Sequence, residues 1–435
     1  MAKIAVIGGT GEFGSMFARI FREEGNEVLV TGRNKETGKK VSRSLGVEYK
    51  RSNIEAAEWA DVVIISVSIE NTPDVIKEIA PHVRDGSLLM DFTSVKVEPC
   101  RAMLKYSSKK VEIIGTHPMF SPRVIGLEGL VFIVTPVRAE KWMDWLKEWL
   151  EDKKAKVIIT TPEEHDKIMS VVQGLTHFTY LSVASTLAEM KIDVKETRKF
   201  ASPIYELMID LIARIVGQNP RLYAGIQMLN PEAKKVRRVF IDRAIEFNNI
   251  IDRKDKDAFV KEMVTAARHL GDIKDSMGRS DKAIMALNQE LLKLKESVGK
   301  EVALRHIYSG NVHVGTVRKV DGEMVTLGRG KKKITIKISN LELLSHDEFI
   351  KWKLNNLPRE KRDYSIIFSE TTDEETICRV LKKMFEGLAE CMILDIYRGK
   401  NLPEGMKSIT LRLEGVNTNF KDIEEFLKGL GGKIR

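Results

Sequence analysis

The 435-residue sequence predicts an α/β chain in three textures: a doubly wound parallel-sheet domain, an all-helical domain, and a C-terminal β-meander with an α+β module. Three observations carry this reading. Short apolar runs alternate with amphipathic stretches up to about residue 160. Strand signal then disappears until about residue 300, where it returns with Asp-Gly and Gly-Arg-Gly turns.

In the first texture the expected strands are 3–8, 27–31, 62–67, 87–91, 111–115 and 130–135, with helices between them, for example 13–24 and 72–81. From Pro162 the stretches 163–190, 195–217, 219–229, 231–252 and 255–298 show helical apolar spacing. Their Met-, Leu- and Ala-rich faces predict a bundle that buries surface against a second subunit, hence a homodimer through this domain. Val312–Val320, Met324–Leu327 and Lys333–Ile338 read as a meander, with Lys331-Lys332-Lys333 as a solvated turn. A polar helix and a basic linker, Leu357–Arg362, follow. Residues 364–435 then read strand, helix (373–387), strand (391–397), strand (407–415), helix (419–430) and a short final strand, the order of a ferredoxin-like module. The domain boundaries expected are 1–160, 161–298, 299–361 and 362–435.

Composition narrows the class. With 43% hydrophobic and 31% charged residues the chain is ordinary for a soluble protein. The start, Lys3-Ile4-Ala5-Val6-Ile7-Gly8, carries no secretory pattern, and no apolar run is long enough to span a bilayer. Cys100, Cys378 and Cys391 form no metal pattern, and their odd number argues against a disulfide framework, so a cytoplasmic location is expected. The net charge is +9, but residues 301–435 hold 24 Lys and Arg against 20 Asp and Glu. Charge spread so thinly argues against a dedicated nucleic-acid surface.

Gly8-Gly9-Thr10-Gly11-Glu12-Phe13-Gly14 contains GxGxxG between a strand and a helix at the start of a βαβ unit. In that context the glycines permit a tight turn, and the helix N-terminus presents free N–H groups to a pyrophosphate. The first domain is therefore expected to be Rossmann-like, with residues 8–14 and Ser66 at the dinucleotide. The second strand ends in Thr31-Gly32-Arg33-Asn34-Lys35, with no acid to hold a ribose 2′-hydroxyl. A hydroxyl and two cations suit a 2′-phosphate, so Thr31, Arg33 and Asn34 predict NADP in preference to NAD.

Three further runs carry chemistry. Asp91-Phe92-Thr93-Ser94-Val95-Lys96 follows a strand. Gly115-Thr116-His117-Pro118-Met119-Phe120-Ser121-Pro122 places an imidazole at a turn beyond the next strand. His165-Asp166, Gln173 and His177-Phe178 lie on a helix, where α-helical spacing puts 166, 170, 173 and 177 on one face. A histidine at the carboxyl end of such a sheet sits where ligands bind and titrates near neutrality.

Together with the glycine run, these motifs resemble the prephenate dehydrogenase family over residues 1–290, with Ser121 where the family usually has Gly. The resemblance implies oxidative decarboxylation of prephenate, with hydride passing to the nicotinamide and no metal. It implies that His117 accepts the proton of the ring hydroxyl, that Ser94 bonds that hydroxyl or orients the imidazole, and that Lys96 supplies positive charge near substrate or nicotinamide. His177, Gln173 and Arg214 would bind substrate, Arg214 gripping a carboxylate unless it pairs with Asp210. His165 and Asp166 are expected to brace their helix start. Arogenate dehydrogenase is an alternative. More distant ones are a deazaflavin:NADP oxidoreductase and a non-catalytic RNA-binding scaffold.

Asp395–Gly399, Leu402–Ser408, Leu411–Leu413 and the terminal Gly431-Gly432-Lys433-Ile434-Arg435 resemble the ferredoxin-fold anticodon-binding module of phenylalanyl-tRNA synthetase. That resemblance implies tRNA binding. The near-balanced charge of the region favours a regulatory or packing role instead, with an aromatic amino acid as effector.

Overall fold

The computed structural model describes every residue except Ile125 and Lys331, together with the side chains of Leu287 and Asn288. The chain forms two compact units, Met1–Asp275 and Ser276–Arg435.

The first unit opens with β1 (Lys3–Ile7), α1 (Glu12–Glu23), β2 (Glu27–Thr31), α2 (Lys35–Leu45), β3 (Glu48–Lys50), α3 (Asn53–Trp59), β4 (Val62–Ile65) and α4 (Thr72–Ile79). There follow β5 (Leu88–Asp91), α5 (Val97–Tyr106), β6 (Glu112–Pro118), β7 (Val131–Arg138), α6 (Lys141–Asp152) and β8 (Lys156–Ile159). The sheet order is β3-β2-β1-β4-β5-β6-β7-β8, whose first six strands are the doubly wound dinucleotide-binding order. Those six run parallel, but β7 pairs antiparallel with β6, so the wholly parallel sheet expected is corrected at that edge.

Both faces of the sheet are covered, which is why its strands read as unbroken apolar runs. Ile4 and Val6 pack to one side with Phe17, Phe92 and Phe132. Ala5 and Ile7 pack to the other with Val63, Ile65 and Leu89. Phe17 anchors the first face, its ring centroid 4.3 Å from that of Phe92 and 6.3 Å from that of Phe132.

Helices then take over: α7 (Pro162–Met169), a π-helical turn (Ser170–Leu175), α8 (Thr176–Glu189), α9 (Val194–Arg198), α10 (Pro203–Val216), α11 (Pro220–Leu229), α12 (Ala233–Asp252), α13 (Lys256–Leu270) and α14 (Ile273–Glu296). Two stretches expected as continuous helices are broken. Pro203 starts a new helix capped by Ser202, because a proline inside the stretch would lose a ladder bond. Gly271, at φ +70°, ends α13.

In the second unit the meander is larger than expected. To β10 (Val312–Asp321), β11 (Met324–Arg329) and β12 (Lys332–Lys337) are added β9 (Glu301–His306) and β13 (Leu341–Leu343), in the order β12-β11-β10-β9-β13. Asp321 pairs with Met324 around Gly322, the hairpin that Asp-Gly announces. Lys331, in the run read as a solvated turn, lies outside the described residues.

After α15 (His346–Asn356) comes the ferredoxin-like module: β14 (Glu360–Ser369), α16 (Glu374–Met384), β15 (Leu388–Tyr397), β16 (Met406–Gly415), α17 (Phe420–Gly429) and β17 (Lys433–Ile434). Its antiparallel order is β15-β16-β14-β17. The expected linker is shorter than thought, since Glu360–Arg362 already pair with β16. The disulfide expectation is overturned: Cys378 on α16 and Cys391 on β15 are bonded, their Cα atoms 5.4 Å apart. Counting cysteines could not show that helix and strand close over one core.

Among the described residues no helix is long and apolar enough to cross a membrane. Phe17→Ala should cost about 3–5 kcal/mol of stability through loss of a buried aromatic side chain. Chemical denaturation monitored by tryptophan fluorescence would measure it.

Candidate functional site

The carboxyl ends of β1, β4, β5 and β6 share one edge of the sheet because these strands are parallel neighbours. The glycine turn, Ser66, the loop 92–96 and His117 therefore gather along that edge. Phe13 joins them physically, its ring 5.9 Å from that of Phe92 and 6.1 Å from that of Phe120.

The glycine turn is built for close approach. Gly8 has φ +80°, and a Cβ there would lie 2.7 Å from the Ser66 carbonyl oxygen. A Cβ on Gly14 would lie 2.8 Å from the Gly9 Cα and 3.2 Å from Ser66 Oγ. Gly9 and Gly11 donate to Val6 and Gly8 carbonyls at 3.0 Å each, and Thr10 donates to the Thr31 carbonyl at 3.3 Å. Gly11 caps α1 without a side-chain bond, so the N–H groups of Glu12, Phe13 and Gly14 face outward with the positive end of the helix dipole. These features fit a dinucleotide pyrophosphate.

The residues expected to hold a 2′-phosphate separate. Thr31 is fully buried, its hydroxyl accepting from Gly8 N at 3.1 Å and donating to Asn53 Oδ1 at 2.7 Å. It shapes the glycine turn, and its one O–H is already donated to Asn53, which corrects its assignment as a phosphate ligand. Asn34 caps α2, accepting from Thr37 N at 3.0 Å. Arg33 is exposed just beyond β2.

His117 lies within β6, not in a turn beyond it, because antiparallel pairing with β7 carries the strand on to Pro118. The ring is buried, and burial holds its pKa well below the usual histidine value, helped by His165 and Lys96. Its Nδ1 lies 2.9 Å from His165 Nε2, and its Nε2 lies 3.3 Å from Gln173 Nε2. His165 Nδ1 lies 2.8 Å from Asp166 Oδ1. Asp166 also accepts the backbone N–H of Lys96 at 2.8 Å and of Val97 at 3.0 Å, and so caps α5 from another helix. The expectation that His165 and Asp166 merely brace their own helix start is corrected.

Two other assignments change. Lys96 is fully buried, with Nζ paired to the Asp91 carboxylate and donating to the Thr116 carbonyl at 2.7 Å. Its ammonium is held inside the loop by these bonds, within electrostatic reach of His117. Room for its stem comes from Gly115, where a Cβ would lie 3.1 Å from Lys96 Cδ and 2.6 Å from Cys100 Sγ. Ser94 is half-buried and does not bond to the imidazole, whose Nδ1 is held by His165.

The single helix face expected for residues 166–177 is broken by the π turn, which adds a residue per turn between Asp166 and His177. Gln173 reaches His117, while His177 packs edge-on against Tyr223 with ring centroids 4.6 Å apart. Burial lowers the His177 pKa to about 4. Arg214 is exposed on α10 and lies close enough to Tyr223 to act on its phenol electrostatically. Asp210, the alternative partner of Arg214, pairs with Arg198 at 2.7 Å instead. His177, Tyr223 and Arg214 thus form a cluster from three helices. Tyr223 escaped the sequence reading because no motif surrounds it. The side-chain atoms Gln173 Oε1 and His177 Nδ1 are buried without partners, which suits groups that await a polar ligand. Among the described residues no His, Cys, Asp and Glu cluster is placed to hold a metal ion.

His177, with a folded pKa of about 4 against 6.5 when free, binds fewer protons folded than unfolded between those values. Stability should therefore fall as pH drops from 6.5 towards 4. Urea midpoints across that range should slope less steeply in His177→Gln than in the unaltered protein.

Three family models match the chain. Residues 17–159 match the prephenate dehydrogenase nucleotide-binding domain, 161–265 its dimerization domain, and 356–421 the ferredoxin-fold anticodon binding domain. A "probable arogenate/prephenate dehydrogenase" of Methanocaldococcus jannaschii is 45% identical, the match covering 99% of this chain and 98% of that one. The "T-protein" of Haemophilus influenzae is 28% identical, over 66% of this chain and 72% of that protein. A solved prephenate dehydrogenase from A. aeolicus, in complex with hydroxyphenyl propionate and NAD+, shares the fold with a TM-score of 0.51. It is 20% identical and covers 63% of this chain and 99% of that one. With a full-length relative at 45% identity and family models over both of its first two domains, the chain belongs to the prephenate dehydrogenase family of NAD(P)-dependent oxidoreductases and carries a ferredoxin-fold domain at its C-terminal end.

Proposed function

We propose that this chain catalyses the oxidative decarboxylation of prephenate to 4-hydroxyphenylpyruvate, with NADP as the preferred acceptor. The observation that carries the reading is His117: a buried imidazole, its pKa held low by burial, on the ligand-binding edge of the sheet, with one ring nitrogen anchored by His165 and the other at Gln173. Arogenate is the second reading, favoured by the name of the full-length Methanocaldococcus relative.

The chain's residues divide the work. Glu12, Phe13 and Gly14 N–H groups hold the pyrophosphate, and Gly8 and Gly14 leave room for it. A bound nicotinamide dinucleotide supplies the hydride acceptor. His117 Nε2 accepts the proton of the ring hydroxyl as hydride leaves the carbon bearing it, which raises electron density there. The ring carboxylate departs as carbon dioxide, its bonding pair completes the aromatic ring, and His117 returns the proton to the phenolate oxygen. Ser94, on the loop after β5, is assigned to bond this hydroxyl, and Arg214 with Tyr223 and His177 offers a cation and two polar rings to the substrate's side-chain carboxylate. Arg33, exposed where other dinucleotide sites carry an acid, meets the 2′-phosphate. The helical domain, with Phe200 88% and Met263 65% exposed, joins two chains in a homodimer.

Absorbance of the reduced nicotinamide with prephenate or arogenate, crossed with NADP or NAD, tests the reading. Prephenate with NADP should give the highest kcat/KM, and silence in all four combinations refutes it. His117→Asn should lower turnover by about 10²–10⁴ while leaving dinucleotide affinity intact. Arg33→Ser should cut the NADP-over-NAD preference by about tenfold or more, the worth of one charge-assisted hydrogen bond; an unchanged ratio moves the 2′-phosphate contact elsewhere.

A further inference from the structure

We infer that His165 and Asp166 are positioning residues that set the tautomer of His117, leaving its Nε2 as an unprotonated acceptor. The inference rests on the reading of His117 as the base.

The argument runs from the carboxylate outward. Asp166 is buried and both its carboxyl oxygens already accept, Oδ1 from the backbone N–H of Lys96 and Oδ2 from that of Val97, so towards His165 it is the acceptor. The 2.8 Å contact is therefore a bond from His165 Nδ1–H to Asp166 Oδ1. Burial keeps His165 neutral, its pKa lying below the usual value, so its Nε2 carries a lone pair. Across 2.9 Å that lone pair must accept from His117 Nδ1–H. A neutral imidazole has one N–H, so His117 Nε2 is left with its lone pair outward, where Gln173 donates to it at 3.3 Å.

The order matters because a free neutral histidine prefers its proton on Nε2, the wrong nitrogen for a base at this place. The chain of Asp166, His165 and His117 reverses that preference with two buried hydrogen bonds. It works by the logic of the aspartate behind the histidine in serine proteases, where the wrong tautomer costs about 10⁴ in kcat. Here a second imidazole stands between. The charged groups nearest the pair are Lys96, which is paired with Asp91 and favours the neutral form of both rings, and Asp166, which faces His165.

Nitrogen-15 NMR of histidine-labelled protein reads the tautomer without substrate. His117 should be protonated on Nδ1 in the unaltered protein, and protonation on Nε2 there overturns the inference. His165→Leu should shift His117 to the Nε2–H form and lower kcat by about 10²–10⁴ with KM and dinucleotide affinity held within a few-fold. His165→Gln, whose amide oxygen can accept from Nδ1–H, should recover at least tenfold of that loss. Equal activity in the Leu and Gln variants, or an unchanged tautomer in both, refutes the positioning role. Should the Leu variant not fold, the unaltered protein and the Gln variant still decide by their NMR signatures. Absence of turnover in the unaltered protein with prephenate and arogenate would refute the functional reading alone, since the tautomer is measured on the protein by itself.

Discussion

The carboxylate of Asp166 is the constraint on which the site depends. It accepts three N–H groups, two from the start of α5 and one from His165, and its backbone carbonyl accepts from Asn230 at 2.8 Å. A carboxylate so deep would be costly without partners, and these donors satisfy it. The same oxygens therefore fix the loop after β5, the first helix of the helical region and, through His165, the ring of His117. β6–β7 pairing sets the backbone of His117, and this buried carboxylate, through His165, sets the partner of its ring.

A second buried pair lies next to the first. Asp91 and Lys96 form an ion pair at the end of β5, with Thr93 donating to Asp91 Oδ2 and Lys96 donating to the Thr116 carbonyl, while Asp91 Oδ1 is buried without a partner. Desolvation is the largest influence on His117, and His165 and the Lys96 ammonium act in the same direction, all favouring the neutral imidazole. The apolar ring cluster of Phe13, Phe92 and Phe120 backs the same loops from the core side. Ion pairing and aromatic packing thus serve one end, an edge of the sheet where a buried imidazole and a helix N-terminus meet.

The glycine turn shows how backbone and side chain share that task. Thr31 spends its hydroxyl on Gly8 N and Asn53, which holds the turn open for an anion. Arg33, just beyond β2, takes no part in shaping the turn and is exposed.

Much was legible before any coordinates. The apolar runs of β1, β2, β4 and β5, the glycine turn, the HPMF histidine and the Asp-Gly hairpin are local patterns, and local patterns survive translation into structure. What the residues alone determined was which groups to look for: His117, Gln173, Arg214 and the glycines as candidates. What only the tertiary structure decided was whom each group meets. Lys96 was read as a charge for a ligand and is spent on Asp91; Thr31 was read as a phosphate contact and is buried; the π turn separates Gln173 from His177; Cys378 finds Cys391. Tyr223 and the Asp166–His165 chain stand at separations no short motif spans. The physical reason is common to all of them. Hydrogen bonds and ion pairs are made by distance in space, and a sheet that brings residues 96, 117 and 166 together does so through strand order and helix packing, which no local spacing encodes.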